Sequence, residues 1–222
     1  MKKVISVLII LITISVAAQD SCSPFYPSKE GKTYIIHHYD KKDRLSTVSE
    51  NTISDKSSGS IEIVSKVKDK RGKEIVSGNF KVVCSGGTTT LTPEAIIAPG
   101  LLEQYRNMEY SITGDGLSFP ANLSVGQELA DGQIVMKVDA GIMNMTTTVT
   151  MTDRKVIGKE KMTTPAGTFD CYVITYTNKL EMGMVQTNTS KQWIAKGIGM
   201  VKEETRKQNG RLVTTSILNQ IK

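Results

Sequence analysis

From Lys161 to Tyr176 the chain reads Lys-Met-Thr-Thr-Pro-Ala-Gly-Thr-Phe-Asp-Cys-Tyr-Val-Ile-Thr-Tyr. A Pro-Ala-Gly turn separates an arriving strand from a departing one rich in Thr, Val, Ile and aromatic residues. Gly167 is expected at positive φ in that turn. The run from Lys191 to Lys202, with the single tryptophan Trp193, supplies the return strand. A segment this committed to antiparallel pairing restricts the rest of the chain to folds that extend a sheet.

The remaining sequence agrees. Ile61, Ile63 and Val67 alternate with Glu62, Lys66 and Lys68, the period of a half-buried strand. Val76, Phe80, Val82 and Cys84 line one face of the next strand. Turn signals stand at 40–43, 55–59, 69–72, 85–87 and 114–116. Met143 to Met151 is predicted as a Thr-rich strand with Arg154 to Met162 as its hairpin partner. Gln208-Asn209-Gly210-Arg211 predicts a type I′ hairpin. One helical insert interrupts the series: Thr92 as N-cap, Pro93 at the first position, a break at Pro99-Gly100, then a short helix carrying Leu101, Leu102 and Tyr105. The predicted fold is all-β: an antiparallel, lipocalin-like barrel or curved half-barrel of about ten strands, one domain over 19–222.

Residues 1–18 read as a signal peptide: basic Lys2 and Lys3, an apolar run from Val4 to Val16, and Ala17-Ala18 for cleavage. The run is too short and wrongly flanked to span a membrane, and the mature chain holds no spanning segment. The protein is therefore expected in the periplasm, at the cell envelope or secreted from a Gram-negative bacterium. Removing Lys2 and Lys3 lowers the net charge from +6 to +4. The remaining basic residues alternate with apolar ones instead of clustering with aromatics, which argues against nucleic acid.

Three cysteines remain after export: Cys22, Cys84 and Cys171. An oxidising compartment favours one disulfide and one thiol, and three pairings are open. Cys22–Cys171 is the first choice and Cys84 the alternative partner, because a staple on the Pro-bounded tail closes a long loop.

Three stretches together resemble an exported family of unknown function from Bacteroides-type bacteria. They are Cys22-Ser23-Pro24-Phe25-Tyr26-Pro27, Thr164-Pro165-Ala166-Gly167-Thr168-Phe169-Asp170-Cys171-Tyr172, and Trp193-Ile194-Ala195-Lys196-Gly197-Ile198-Gly199-Met200-Val201-Lys202. The Pro-Ala-Gly-Thr-Phe-Asp-Cys and Ala-Lys-Gly-Ile-Gly pieces carry the likeness. It implies a β-barrel-like fold in the envelope and brings no catalytic residues.

The chain lacks Gly-x-Ser-x-Gly, His-Glu-x-x-His and Cys-x-x-Cys. Its two histidines, His37 and His38, are adjacent in a predicted strand and so face opposite ways. Glu203 and Glu204 are split in the same manner. These patterns predict no enzyme, no catalytic residue, no cofactor and no metal. Met143-x-Met145 and Met182-x-Met184 offer paired thioethers of the kind copper(I) takes, without a His or Cys beside them. Nine mature methionines against few aromatics suit an adaptable apolar pocket instead. Met136, Met143, Met145, Met182, Met184 and Trp193 are its predicted lining. The expected activity is binding or carriage of an apolar small molecule or lipid. The alternative is an interaction module for another envelope protein, built on a filled barrel.

Overall fold

The computed structural model describes residues 24–27, 29–57, 59–97, 99–105, 107–139, 141 and 144–222. The predicted signal peptide, Cys22 and Met143 lie outside them. The strands are β1 (Thr33–Asp40), β2 (Leu45–Ser57), β3 (Ser60–Asp69), β4 (Glu74–Ser85), β5 (Thr88–Leu91), β6 (Glu109–Gly114), β7 (Leu117–Pro120), β8 (Gly132–Asp139), β9 (Asn144–Thr164), β10 (Gly167–Met182), β11 (Met184–Ala195), β12 (Gly199–Lys207) and β13 (Leu212–Ile221). A 3-10 turn at Pro93–Ala95 and helix α1 (Pro99–Gln104) form the insert. The fold is all-β, as expected, with thirteen strands in one antiparallel sheet of order β6-β8-β9-β10-β11-β12-β13-β1-β2-β3-β4-β5-β7.

The sheet does not close by a continuous ladder, but its two edges are consecutive in the chain. β6 pairs with β8 and β7 with β5, and only Asp115 and Gly116 separate the two strands. One extended stretch thus changes partner halfway along. The change needs glycine. Gly114 has φ 143° and Gly116 φ 71°. A Cβ would stand 2.0 Å from the Gln133 carbonyl oxygen at Gly114, and 2.1 Å from that of Leu91 at Gly116. Below this seam the segment 126–129 runs beside β9. Gly126 N donates to Val156 O (2.7 Å), Val156 N to Gln127 O (2.9 Å), and Leu129 N to Arg154 O (2.8 Å).

Two sequence expectations are corrected. Met143–Met162 is not a hairpin: β9 continues through Thr152-Asp153, where Asp153 takes φ 55° in a bulge. The ladder to β10 slips there, between Thr175 and Thr177. The extra residue moves the inward face from odd positions (Val149, Met151) to even ones (Arg154, Val156). The Gln208–Arg211 turn is not type I′, because Gly210 (φ 80°) is its only residue at positive φ. Gly210 N donates to Lys207 O and Lys207 N to Arg211 O, a type I turn closed by a left-handed residue. Asp40–Arg44 and Asp69–Lys73 repeat this pattern with Asp43 (φ 57°) and Gly72 (φ 84°). Gly167 is at φ 137°, as its turn requires.

Buried side chains fall on two faces. Facing the hollow of the sheet, one cluster gathers Phe25, Ile134, Met136, Met151, Ile174 and Ile194, and a second gathers Tyr34, Ile53, Ile61, Ile63 and Val82. The opposite face of β10–β12 carries a smaller cluster of Cys171, Val173, Trp193, Ala195 and Val201. Each fully buried Ile or Val contributes about 1.5–3 kcal/mol by leaving water. Among the described residues, no helix is long and apolar enough to cross a membrane.

Candidate functional site

The curved sheet encloses a cavity of about 670 Å³. Phe25, Tyr26 and Pro27 of the N-terminal tail line it. Gly197 N donates to Pro24 O at 2.5 Å, and Phe25 meets Tyr172 edge to face at 5.3 Å. The helical insert packs against β2, β4 and β6 and turns Ile96, Ile97, Leu101 and Leu102 into the cavity. Thr92 does not cap a helix with its side chain. Its hydroxyl accepts from Lys81 N (3.3 Å) and its amide donates to Lys81 O (3.1 Å), tying the insert to β4.

The two sides of the cavity differ in chemistry. Leu91, the insert, Ile112, Leu117, Phe119, Val149 and Met151 make an apolar wall. Across β11, β12, β13, β1 and β2 runs a polar band. Strand register sets Gln192 opposite Glu203, Glu203 opposite Ser216, and Ser216 opposite His38. All four line the cavity with Ser49 and Thr205. The His38 ring meets Ser216 Oγ at 2.8 Å through Nδ1 and Ser49 Oγ at 2.9 Å through Nε2. Glu203 Oε2 accepts from Tyr176 OH and from Gln192 Nε2, each at 2.9 Å. Burial raises the Glu203 carboxyl above the ordinary carboxylate range, against the two hydrogen bonds that favour its charge. Burial and the facing Glu203 carboxylate push the Tyr176 phenol well up.

Burial, and then the neighbouring His37, lower His38 from 6.5 to about 4. The folded state therefore binds this proton less readily than the unfolded chain. The His38 contribution is complete above pH 6.5 and is lost as pH falls from there to about 4. The shift corresponds to roughly 3 kcal/mol. Chemical denaturation between neutral pH and pH 4 should show that loss, and His38→Gln should flatten the profile. An unchanged slope in the variant would assign the acid sensitivity to other groups.

The predicted lining residues scatter. Met136 is fully buried in the core, sealed from the cavity. Met145 and Met182 are half-buried beside that core, and the Met182 sulfur accepts from Tyr105 OH at 3.2 Å. Met184 is 77% exposed. Met182 and Met184 pair across Gly183 at a hairpin tip, so they are not two ligands on one strand face. Trp193 is on the opposite face, because Gln192 and Ile194 take the inward positions. Its indole N–H donates to Glu160 Oε2 (2.7 Å), with the Lys191 and Lys202 ammonium groups 4.6 and 5.1 Å from its ring centre. Met151, Tyr176, Gln192 and Glu203 line the cavity instead. Glu204, as expected, faces away from Glu203 and pairs with Lys202 and Arg206. The signal for Glu203 was its place beside inward Thr205 on an alternating strand.

Cys171 is a buried free thiol, which overturns Cys22–Cys171. It belongs to the outer cluster with Trp193, whereas the tail enters the hollow side. Burial, with Asp170 and Glu160 nearby, raises its pKa to about 11. Cys84 is disulfide-bonded, and the third cysteine, Cys22, lies outside the described residues. Non-reducing peptide mapping of the oxidised protein should recover Cys22 joined to Cys84 and Cys171 as a slowly alkylated thiol. A Cys171-containing disulfide would contradict this arrangement.

Two crystal structures share the fold. One is of an exported-protein candidate with YmcC-like fold from Bacteroides fragilis, 21% identical, with a TM-score of 0.78 over 90% of this chain and 100% of that one. The other is of a candidate lipoprotein from Parabacteroides distasonis, 24% identical, with a TM-score of 0.78 over 90% and 99%. At these identities the likeness concerns the fold. No curated protein matches the chain. Residues 29–218 match a family model, and the chain belongs to the DUF3108-like family.

Proposed function

We propose that the protein is exported to the envelope of a Gram-negative bacterium and there binds, without catalysis, a small molecule with a substantial apolar part. The observation that carries this reading is the cavity of about 670 Å³ between an apolar wall and a polar band. A cavity of this size matches a small ligand, and its few polar groups would orient one. The leader-like residues 1–18 support export.

Native mass spectrometry of protein recovered from its own periplasm tests the reading together with titration by a neutral dye such as diphenylhexatriene. A co-purifying small molecule and saturable 1:1 dye binding are expected. Absence of both would overturn it. Trp193 is not a suitable reporter, since it sits on the other face of the sheet.

A second reading, docking to an envelope protein, is favoured by the tip of the β10–β11 hairpin, where Met184 is 77% and Val185 60% exposed. Loss of a specific cross-link from this tip on Met184→Ser would support it, and absence of any such cross-link would remove it.

A further inference from the structure

The charge of the cavity differs from that of the chain. The sequence holds 28 Lys and Arg against 22 Asp and Glu. Yet among the described residues no Lys or Arg lines the cavity, while Asp40, Glu94 and Glu203 do. Asp40 is already satisfied. Its Oδ2 accepts from the Arg44 guanidinium at 2.6 and 2.9 Å, and its Oδ1 from the amides of Lys42 and Arg44. Glu94 is exposed at the start of the 3-10 turn.

Glu203 is neither paired nor exposed. It is half-buried by surface, but what it faces is the cavity. Both of its hydrogen bonds go to Oε2. Among the described residues, Oε1 meets no donor and the carboxylate has no cation partner. A carboxylate enclosed in this way costs several kcal/mol unless it is protonated or paired. Ser216, opposite Glu203 in register, makes its side-chain hydrogen bond with His38 and none with Glu203.

From this geometry, and resting on the cavity-binding reading above, we infer that the ligand is a cationic amphiphile. A protonated primary amine sits against Glu203 Oε1, and its apolar chain lies along Leu101, Leu102, Ile112, Phe119 and Met151. An ammonium supplies the donors and the charge that Oε1 lacks. Charge-assisted hydrogen bonds of this type are roughly twice as strong as neutral ones. An alcohol head supplies one neutral donor. A carboxylate or phosphate head sets acceptors against an acceptor in a cavity without a cation. The raised Glu203 pKa agrees with a carboxyl that lacks a positive partner in the empty protein.

The test uses the full mature chain near neutral pH, with diphenylhexatriene displaced by dodecylamine, dodecanol or dodecanoate below their micellar concentrations. Dodecylamine should bind about tenfold tighter than dodecanol, the ratio for about 1.4 kcal/mol, with dodecanoate weakest. In Glu203→Gln the amine-to-alcohol ratio should fall to about one, a change in preference that a general loss of structure does not produce. Dodecanoate binding as tightly as dodecylamine, or a variant that keeps the amine preference, would overturn the head-group assignment while dodecanol binding upholds the cavity. Failure of all three to displace the dye, or of the dye to bind, would overturn both.

Discussion

Gly116→Ala should cost at least about 4 kcal/mol, a loss reserved for changes the backbone cannot absorb. The new Cβ would lie 2.1 Å from Leu91 O and 3.2 Å from the Leu91 carbonyl carbon. Both belong to β5, and neither can swing aside as a side-chain tip does. The residue must also keep φ 71°. Left-handed backbone alone costs an alanine about 1–2 kcal/mol. Gly72→Ala separates the two effects, since Gly72 has φ 84° but nothing within 4 Å of its Cβ position. Only the conformational cost is expected there. Melting temperatures should fall by on the order of 10 °C for Gly116→Ala and by about a third of that for Gly72→Ala. Equal losses would mean that the seam gives way easily and that Gly116 is an ordinary turn glycine.

The strand-rich architecture was legible because alternation and turn chemistry are local. Ile61, Ile63 and Val82 follow period two, and the three hairpins with left-handed Asp43, Gly72 and Gly210 all sit at predicted turns. Legibility failed where one residue changes the phase. Asp153 looks like a turn residue after nine strand residues, yet its left-handed conformation here makes a bulge inside one 21-residue strand. A reader who ends the strand there cannot know that Arg154 points inward. Other phase slips lie at Val173/Ile174 and Trp193/Ile194. The second makes Val201 the extra residue on β12 and moves the inward face from Glu203 and Thr205 to Met200.

Methionine composition misled for a different reason. Thioethers adapt to gaps, but that property places them as readily in sealed core (Met136) or at a hairpin tip (Met184) as in a cavity wall. The polar band was hidden because its members come from five strands and are single, ordinary residues in each. Only the order β11-β12-β13-β1-β2 brings Gln192, Glu203, Ser216, His38 and Ser49 into one row.

Arg154→Leu should destabilise the protein by about 3 kcal/mol, the scale of losing charged hydrogen bonds to groups that stay buried. Arg154 is 3% exposed. Its guanidinium donates to the Ser118 carbonyl from both terminal nitrogens at 3.3 Å and also to the Ala130 carbonyl. It stacks over Phe119, 5.1 Å from the ring centre. One side chain on β9 therefore holds edge strand β7 and the end of the 121–131 loop, where no ladder joins them. Burial lowers its pKa to about 10, with Tyr176 and Asp131 opposing the fall, so the charge survives at neutral pH. Leucine fills part of the space but leaves the carbonyls of Ser118 and Ala130 without their donor. Arg154→Lys keeps the charge without the planar fork and should recover less than half of the loss. Because Arg154 and Gly116 secure the same seam, their effects should not add. The double variant is expected to lose clearly less than the sum, since the second change meets an edge already loosened. Strict additivity in urea denaturation would show that the two positions hold separate structures, and that β6 and β7 are stabilised independently.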